Sequence, residues 1–360
     1  MTVLRRVFQE AFHDIKNAAI MHACRKVSKP IRPIISTWIS DLFDYNVVDG
    51  KCYRGHLLTN AACAIKSIHS GNAGQENALC ETELRRICRL GWIVETLHAH
   101  YLMVDDIMDN AETRRGKTCY YRLNGVGLRA LNDSQLLQAS IRFLIEDDWR
   151  QHPCCEEMVR AVDSTNLITI VGQHFDTSMT CNFDLRSVDQ STYDQIVKSK
   201  TSYYTFNLPM KLALLCSKIN DSGTLSVVED YALTLGKIFQ VQDDYLNLYG
   251  SSETTGKLSS DIVERKCTWF LVEALSKHAE TKHSDDVKRL KTYFSSPRRF
   301  TENDENEIVA IYKRLGLKED CELFVSWQLR KFTDECDTFP IDEVKPLLRQ
   351  VADDLANRIK

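Results

Sequence analysis

Apolar residues return every three or four positions along almost the entire chain, most regularly over residues 47–68, 84–108, 131–144, 158–171 and 203–216. That period gathers them on one face of a helix, so each stretch predicts a helix with a buried side. Strand signals are weak: no turn dipeptide is flanked by alternating apolar residues, and β-branched residues do not collect in short bounded runs. Interruptions at 71–74, 125–127, 251–256 and 295–297 read as helix connections. The pattern predicts an all-α chain.

Residues 1–34 form a distinct opening segment. Leu4, Val7, Phe8, Phe12 and Ile15 would share one side of a helix, while Arg5, Arg6, Lys16, Arg25, Lys26, Lys29 and Arg32 outnumber Glu10 and Asp14. This composition fits either an ordinary amphipathic helix or a mitochondrial targeting segment. The remainder, 35–360, is expected to be one large helical domain. Its 43% hydrophobic content can build a sizeable core, and neither 7 prolines nor 14 glycines mark a linker.

Composition narrows the function classes. No apolar run reaches the roughly 18 to 20 residues that cross a bilayer, so no membrane span is expected. A formal net charge of −4 argues against a nucleic-acid partner held by general basic attraction. The 13 cysteines, an odd number with no CxxC pair, indicate neither a disulfide framework nor a zinc site. They fit a reducing compartment, and the expected location is cytoplasmic, or mitochondrial if the first segment is a targeting peptide.

Candidate chemistry lies at the ends of two apolar helical runs. Asp105, Asp106 and Asp109 close the run that begins at Leu90, and Asp243, Asp244 and Asn247 close a similar run from Leu235. Neighbouring carboxylates on a largely buried helix repel one another and lose hydration, so a cation should compensate them. Residues four apart share a helix face, which pairs Asp105 with Asp109 and Asp243 with Asn247. Hard oxygen donors suit Mg²⁺, which takes few carboxylates and readily adds substrate phosphate oxygens. Asp147-Asp148, Asp285-Asp286 and Asp353-Asp354 lack a third acidic residue and read as solvated faces. Basic residues accompany the motifs: Arg114 and Arg115 follow the first, Lys257 and Lys266 the second, and Lys200-Thr201 precede an aromatic helix. Arg can grip phosphate oxygens in a fork and Lys as a point charge.

From about Asp44 onward the chain resembles the farnesyl diphosphate synthases and related trans-isoprenyl diphosphate synthases. The likeness rests on Gly50-Lys51-Cys52-Tyr53-Arg54-Gly55, Leu90-Gly91-Trp92, the segment 105–117, Gly172-Gln173-His174-Phe175-Asp176, Lys200-Thr201, the segment 239–247 and the segment 255–266. It implies the isoprenoid synthase fold, a single helical bundle around a central active-site cavity, and a homodimer. It also implies three Mg²⁺ ions held by Asp105, Asp106, Asp109, Asp243 and Asp244 around an allylic prenyl diphosphate. Arg114, Lys200 and Lys257 would grip the leaving diphosphate, with Thr201, Gln240 and Lys266 nearby. Tyr101, Tyr204, Phe206 and Phe239 are candidates to face the allylic cation.

The resemblance further implies a second basic site, for isopentenyl diphosphate, built here from Lys51, Arg54, Arg115 and His98. His98 stands where the family leads one to expect Gln. The tail holds Asp353 and Asp354 against Arg358 and Lys360, and Asn207 and Asn247 are further departures. An allylic half better kept than the condensing half points first to a terpene synthase of the insect type, ionising farnesyl diphosphate and releasing a sesquiterpene. The alternative is a prenyltransferase making geranyl or farnesyl diphosphate, and the third reading is an inactive helical paralogue.

Overall fold

Three carboxylates can end a buried helix only if that helix is long enough to be gripped along its length. Helix α4, Glu81–Met108, meets this condition. Ile87, Leu90, Ile93, Val94 and Leu97 are buried, as are the polar Glu95, Thr96 and His100. A helix enclosed on several sides must satisfy its polar groups internally. Thr96 Oγ1 donates to Trp92 O at 2.8 Å, Glu95 Oε1 accepts from Gly55 N at 2.8 Å, and His100 Nδ1 lies 3.0 Å from Ser134 O.

The computed structural model describes residues 3–69, 79–181, 183–250, 261–277, 284–296, 298 and 300–358. By packing it divides into two compact units, each discontinuous in sequence. The first comprises Met1–Thr165, Tyr204–Glu229 and Pro340–Leu347, the second Asn166–Tyr203, Asp230–Phe339 and Leu348–Lys360. In the first, α1 (Val3–Cys24), α3 (Tyr53–His69) and α5 (Arg129–Trp149) pack on α4, and α2 (Arg32–Asn46) packs on α1. Val7, Phe8, Phe12 and Ile15 of α1 are buried, and Trp92 Nε1 donates to Phe8 O at 2.6 Å. Each such buried side chain stabilises by about 1.5–3 kcal/mol. The opening segment therefore contains an amphipathic helix integral to the first unit's core.

The second unit includes α7 (Gln190–Ile196), α10 (Trp269–Lys277), α11 (Ser284–Ser295), α12 (Glu302–Arg314) and α13 (Leu317–Glu335), around Tyr193, Trp269, Phe270, Phe294, Tyr312 and Phe332. Helices α6 (Cys155–Cys181), α9 (Ser222–Tyr249) and α14 (Lys345–Ala356) contribute residues to both units. The all-α expectation holds, and no described helix is long and apolar enough to cross a membrane.

Three local departures from the expected pattern bear on function. The run at 47–68 becomes helical only at Tyr53, because Gly50 and Cys52 take positive φ of 151° and 44°. The run at 203–216 is not one α-helix: a π-helix spans Val197–Asn207 and hands over to α8, Leu208–Cys216, with Pro209 in its first turn. Wide turns of this kind are rare and concentrate at functional sites. Finally, a small hairpin follows α4, with Thr113 opposite Thr118 and Arg114 opposite Lys117. Its two turn residues, Arg115 and Gly116, both have positive φ, at 55° and 73°. That is the backbone of a tight primed turn.

Candidate functional site

The first aspartate cluster is assembled within the first unit by the end of α4 and the hairpin. Three carboxylates stand at the negative end of a helix dipole, where acidic groups are least favoured. The hairpin supplies the compensation. Arg114 Nε donates to Asp106 Oδ1 at 2.8 Å, and its Nη2 donates to Asp105 Oδ2 at 2.9 Å. Burial alone would weaken the guanidinium charge, but the two carboxylates more than offset it and raise the Arg114 pKa. Asp109 caps the helix, its backbone N–H bonded to Asp105 O at 2.8 Å.

Among the described residues no three His, Cys, Asp or Glu side chains converge as a metal cage. An all-carboxylate, partly exposed helix end of this kind still fits Mg²⁺, which takes one or two carboxylates and fills its other positions with water and phosphate oxygens.

A second cluster in the same unit surrounds Arg54, which is 7% exposed. Its Nη2 donates to Thr205 Oγ1 at 2.9 Å and Tyr204 OH at 3.2 Å, and its guanidinium carbon lies 4.6 Å from the Tyr204 ring centre. The Arg54 Nε is buried with no hydrogen-bond partner. His98 Nδ1 sits 3.4 Å from both Arg54 Nη1 and Glu95 Oε2. Burial, reinforced by Arg54, pushes the His98 pKa down to about 4, so the ring is neutral near pH 7. Burial would raise the Glu95 pKa, but His98, Arg54 and the Gly55 N–H bring it down to about 2.

Arg115 packs against the backbone of Gly50, where a Cβ would come within 2.9 Å of the guanidinium carbon. Burial lowers the Arg115 pKa, with Glu95 opposing that shift and Arg114 and Arg54 adding to it. The structure thus brings Gly50, Arg54, His98 and Arg115 together around one ionised carboxylate, with Lys51 exposed in the adjoining turn. His98 therefore acts as a neutral polar neighbour of Arg54. Tyr101 joins the cluster edge-on to Tyr204, with ring centres 5.1 Å apart. Phe206, wholly buried beside Tyr53, is a core residue.

The second unit holds the other expected residues. Lys200 Nζ pairs with the buried Asp176 at 2.6 Å. Thr201 Oγ1 donates to Gln240 Oε1 at 2.7 Å, and Gln240 Nε2 donates to Asp244 Oδ1 at 3.0 Å. Asp244 also accepts from Tyr193 OH at 2.9 Å and from Trp269 N at 2.8 Å. Burial, with the charge of Asp261, raises its pKa to about 7. Asp244, one of the expected metal ligands, is buried and accepts three bonds that tie α7, α9 and α10 together.

Asp243 is half-buried and bonded to the guanidinium of Arg358, which also donates to Phe239 O at 3.1 Å and lies 4.0 Å from the Phe239 ring centre. The tail arginine is thus engaged by the second motif rather than offset by Asp353 and Asp354. Lys266 pairs with Glu264 at 2.8 Å and Asp261 at 3.7 Å, so its position is set by local carboxylates. Lys257 and Lys360 lie outside the described residues.

Glu95, Tyr193 and Thr205 had escaped sequence reasoning. Only Glu95 carried a signal, standing three residues before His98 on the same helix face. Tyr193 and Thr205 look like ordinary core positions in the sequence.

The polyprenyl synthetase family profile matches residues 36–311. The chain is similar to farnesyl pyrophosphate synthase of Candida albicans, 31% identical over 351 residues, covering 96% of this chain and 93% of that protein. It is 30% identical to farnesyl pyrophosphate synthase 1 of Lupinus albus over 362 residues, the whole of both chains. Mitochondrial farnesyl pyrophosphate synthase 1 of Arabidopsis thaliana is 35% identical over 283 residues, 78% of this chain and 70% of the relative.

Proposed function

Because the chain belongs to the polyprenyl synthetase family, we propose that it is a prenyltransferase condensing isopentenyl diphosphate with an allylic prenyl diphosphate. The reading is carried by Arg54, which is buried, and Arg115, which is partly exposed, flanking a single ionised carboxylate, Glu95, with an Arg54 Nε that lacks an acceptor. A buried unpaired donor costs roughly 1–3 kcal/mol, which an incoming anion would relieve. The cluster has the makings of a second diphosphate subsite, separate from Arg114 at the aspartate motif. Condensation requires two such subsites, whereas ionisation of one substrate requires one. The named relatives and this cluster together favour the alternative weighed in the sequence over the terpene synthase preferred there.

Asp105, with Asp109, would hold Mg²⁺ in the first unit, and Asp243 in the second. The chemistry Mg²⁺ would supply there is neutralisation of charge on the departing diphosphate. Arg114 adds a fixed cation whose orientation is set by two carboxylates, and Lys200 is held in place by Asp176. Such preorganised charge needs no reorganisation when the bond breaks. Arg54 and Arg115 fix the second diphosphate, and Tyr101 and Tyr204 present aromatic edges and faces that exclude water. The allylic C–O bond breaks, the alkene of isopentenyl diphosphate forms the new C–C bond, and a proton is lost.

Glu95 favours a second reading. An ionised carboxylate beside Arg54 reduces the cluster's attraction for a diphosphate, as a protein that only ionises a prenyl diphosphate would tolerate. Incubation of the purified protein with Mg²⁺ and farnesyl diphosphate, or with a short allylic diphosphate plus isopentenyl diphosphate, separates the two. The proposal expects an elongated prenyl diphosphate from the second mixture. Hydrocarbon or alcohol from the first, with no elongation in the second, would establish the ionisation-only reading, and inactivity in both would overturn both.

A further inference from the structure

Residues 15–40 contain no acidic side chain, yet they carry Lys16, Arg25, Lys26, Lys29 and Arg32. Lys16 is paired with Asp44 at 2.8 Å. The other four lie on the connector from the end of α1 to the start of α2, all are exposed, and none has a carboxylate partner among the described residues. Apolar side chains surface beside them: Met21 is 53% exposed, Ile31 46% and Ile34 69%. Single exposed apolar residues need no explanation. Here three of them border four cations that have no carboxylate partner among the described residues, on a chain whose formal net charge is −4.

We infer that this connector is a docking surface for a bilayer carrying anionic lipids. Charge selects the partner: with a screening length of about 8 Å the connector's own cations dominate, since the carboxylate beside them, Asp147, is bonded to His22 at 2.9 Å. Ile31 and Ile34, preceded by Pro30 and Pro33, provide apolar groups able to enter the acyl boundary beside the basic residues. A second copy of this chain is a poor occupant, because a twofold contact would bring the like-charged patch against itself. The inference does not depend on which diphosphate reaction the protein performs.

The test is co-sedimentation of the full chain with vesicles of phosphatidylcholine, with or without phosphatidylserine. Each cation near an anionic surface strengthens partitioning by about fivefold. Arg25→Glu, Lys26→Glu and Lys29→Glu combined should therefore reduce binding to phosphatidylserine vesicles by at least about 10²-fold. Ile31→Ser with Ile34→Ser should reduce it severalfold and leave its salt dependence intact. Circular dichroism and thermal melting of both variants should match the wild type, since these side chains are exposed. Equal binding to neutral and anionic vesicles, or an unaffected triple variant, would overturn the inference. So would loss in the triple variant without any effect of the isoleucine pair, accompanied by equally tight RNA binding, which would mark a general polyanion surface.

Discussion

Gly236→Ala should destabilise the second unit and slow the enzyme, although the substitution is normally helpful inside a helix. Gly236 lies in α9, against the π-helix that carries Lys200 and Thr201. A Cβ at Gly236 would lie 2.7 Å from Ser202 Cα, and closer still to its Cβ and Oγ. Carbon atoms pack best at about 3.5–4.0 Å, so the two backbones would have to part by roughly 1 Å. Rotating the serine side chain cannot relieve contact with its Cα. Against this stand a gain of about 1 kcal/mol in helix propensity and about 0.8 kcal/mol for a buried methyl group. Overpacking typically costs 1–3 kcal/mol and more where backbone must move, so a net loss of roughly 1–2 kcal/mol is expected. Displacing Lys200 and Thr201 by such a distance should lower kcat by up to about 10²-fold. Urea denaturation and steady-state kinetics measure both. Gly223→Ala near the start of α9, where a Cβ would make only an ordinary contact with Asp221 Oδ1 at 3.6 Å, serves as control and should be neutral or slightly stabilising. Ser202→Gly should partly rescue the Gly236 variant, because it removes two of the three clashing atoms. A Gly236→Ala protein as stable and active as wild type would refute the close-approach argument.

Two further outcomes follow from the charged clusters. Asp105→Ala should reduce turnover by about 10²-fold or more while leaving the helical circular dichroism unchanged, and saturating Mg²⁺ should not restore it; full activity would remove Asp105 from the metal site. His98 has a folded pKa of about 4, below its usual 6.5, so the unfolded chain takes up the proton first and this group's contribution to stability declines as pH falls from 6.5 toward 4. Glu95, depressed to about 2, stabilises above its ordinary carboxylate range and loses that contribution at still lower pH. His98→Gln should therefore flatten the loss between pH 7 and 5, worth roughly 2 kcal/mol, in urea titrations at the two pH values; an unchanged slope would show that the ring is not held neutral by its surroundings.

Much of the helical frame was legible because burial on one face imposes a period that survives in the sequence. The run at 84–108 became α4 with little change, since its apolar positions answer to neighbours on several sides. Backbone exceptions were not legible. Arg115 adopts a positive φ, normally reserved for glycine or asparagine, and it does so next to Gly116 in a turn lacking the usual hairpin dipeptide. The π-helix likewise leaves no mark in periodicity. Its cause is external: Gly172 and Gly236 admit its backbone so closely that a Cβ on Gly172 would lie 2.5 Å from Lys200 N. Those glycines read in sequence as isolated helix-weakening residues.

The two aspartate motifs show where the same limit falls for charge. Sequence logic required a cation at each, because adjacent buried carboxylates cannot remain uncompensated. At the first motif the answer is local: Arg114 lies nine residues beyond Asp105, and a short hairpin can only return it to the helix end. Proximity in sequence therefore identified it. At the second motif Gln240 reaches Asp244 from one turn earlier, but other described partners arrive from afar, Tyr193 to Asp244 across 51 residues and Arg358 to Asp243 across 115. No spacing rule reaches that distance. The near-identical motifs consequently have different internal chemistry: Asp105 and Asp106 share one guanidinium, whereas Asp243 takes an arginine and Asp244 a buried set of neutral donors. Asp244, whose pKa burial and Asp261 raise to about 7, is met by neutral donors, while the half-exposed Asp243 is met by a guanidinium. Asn247 keeps an oxygen four residues from Asp243 without adding a third negative group beside Asp243 and Asp244.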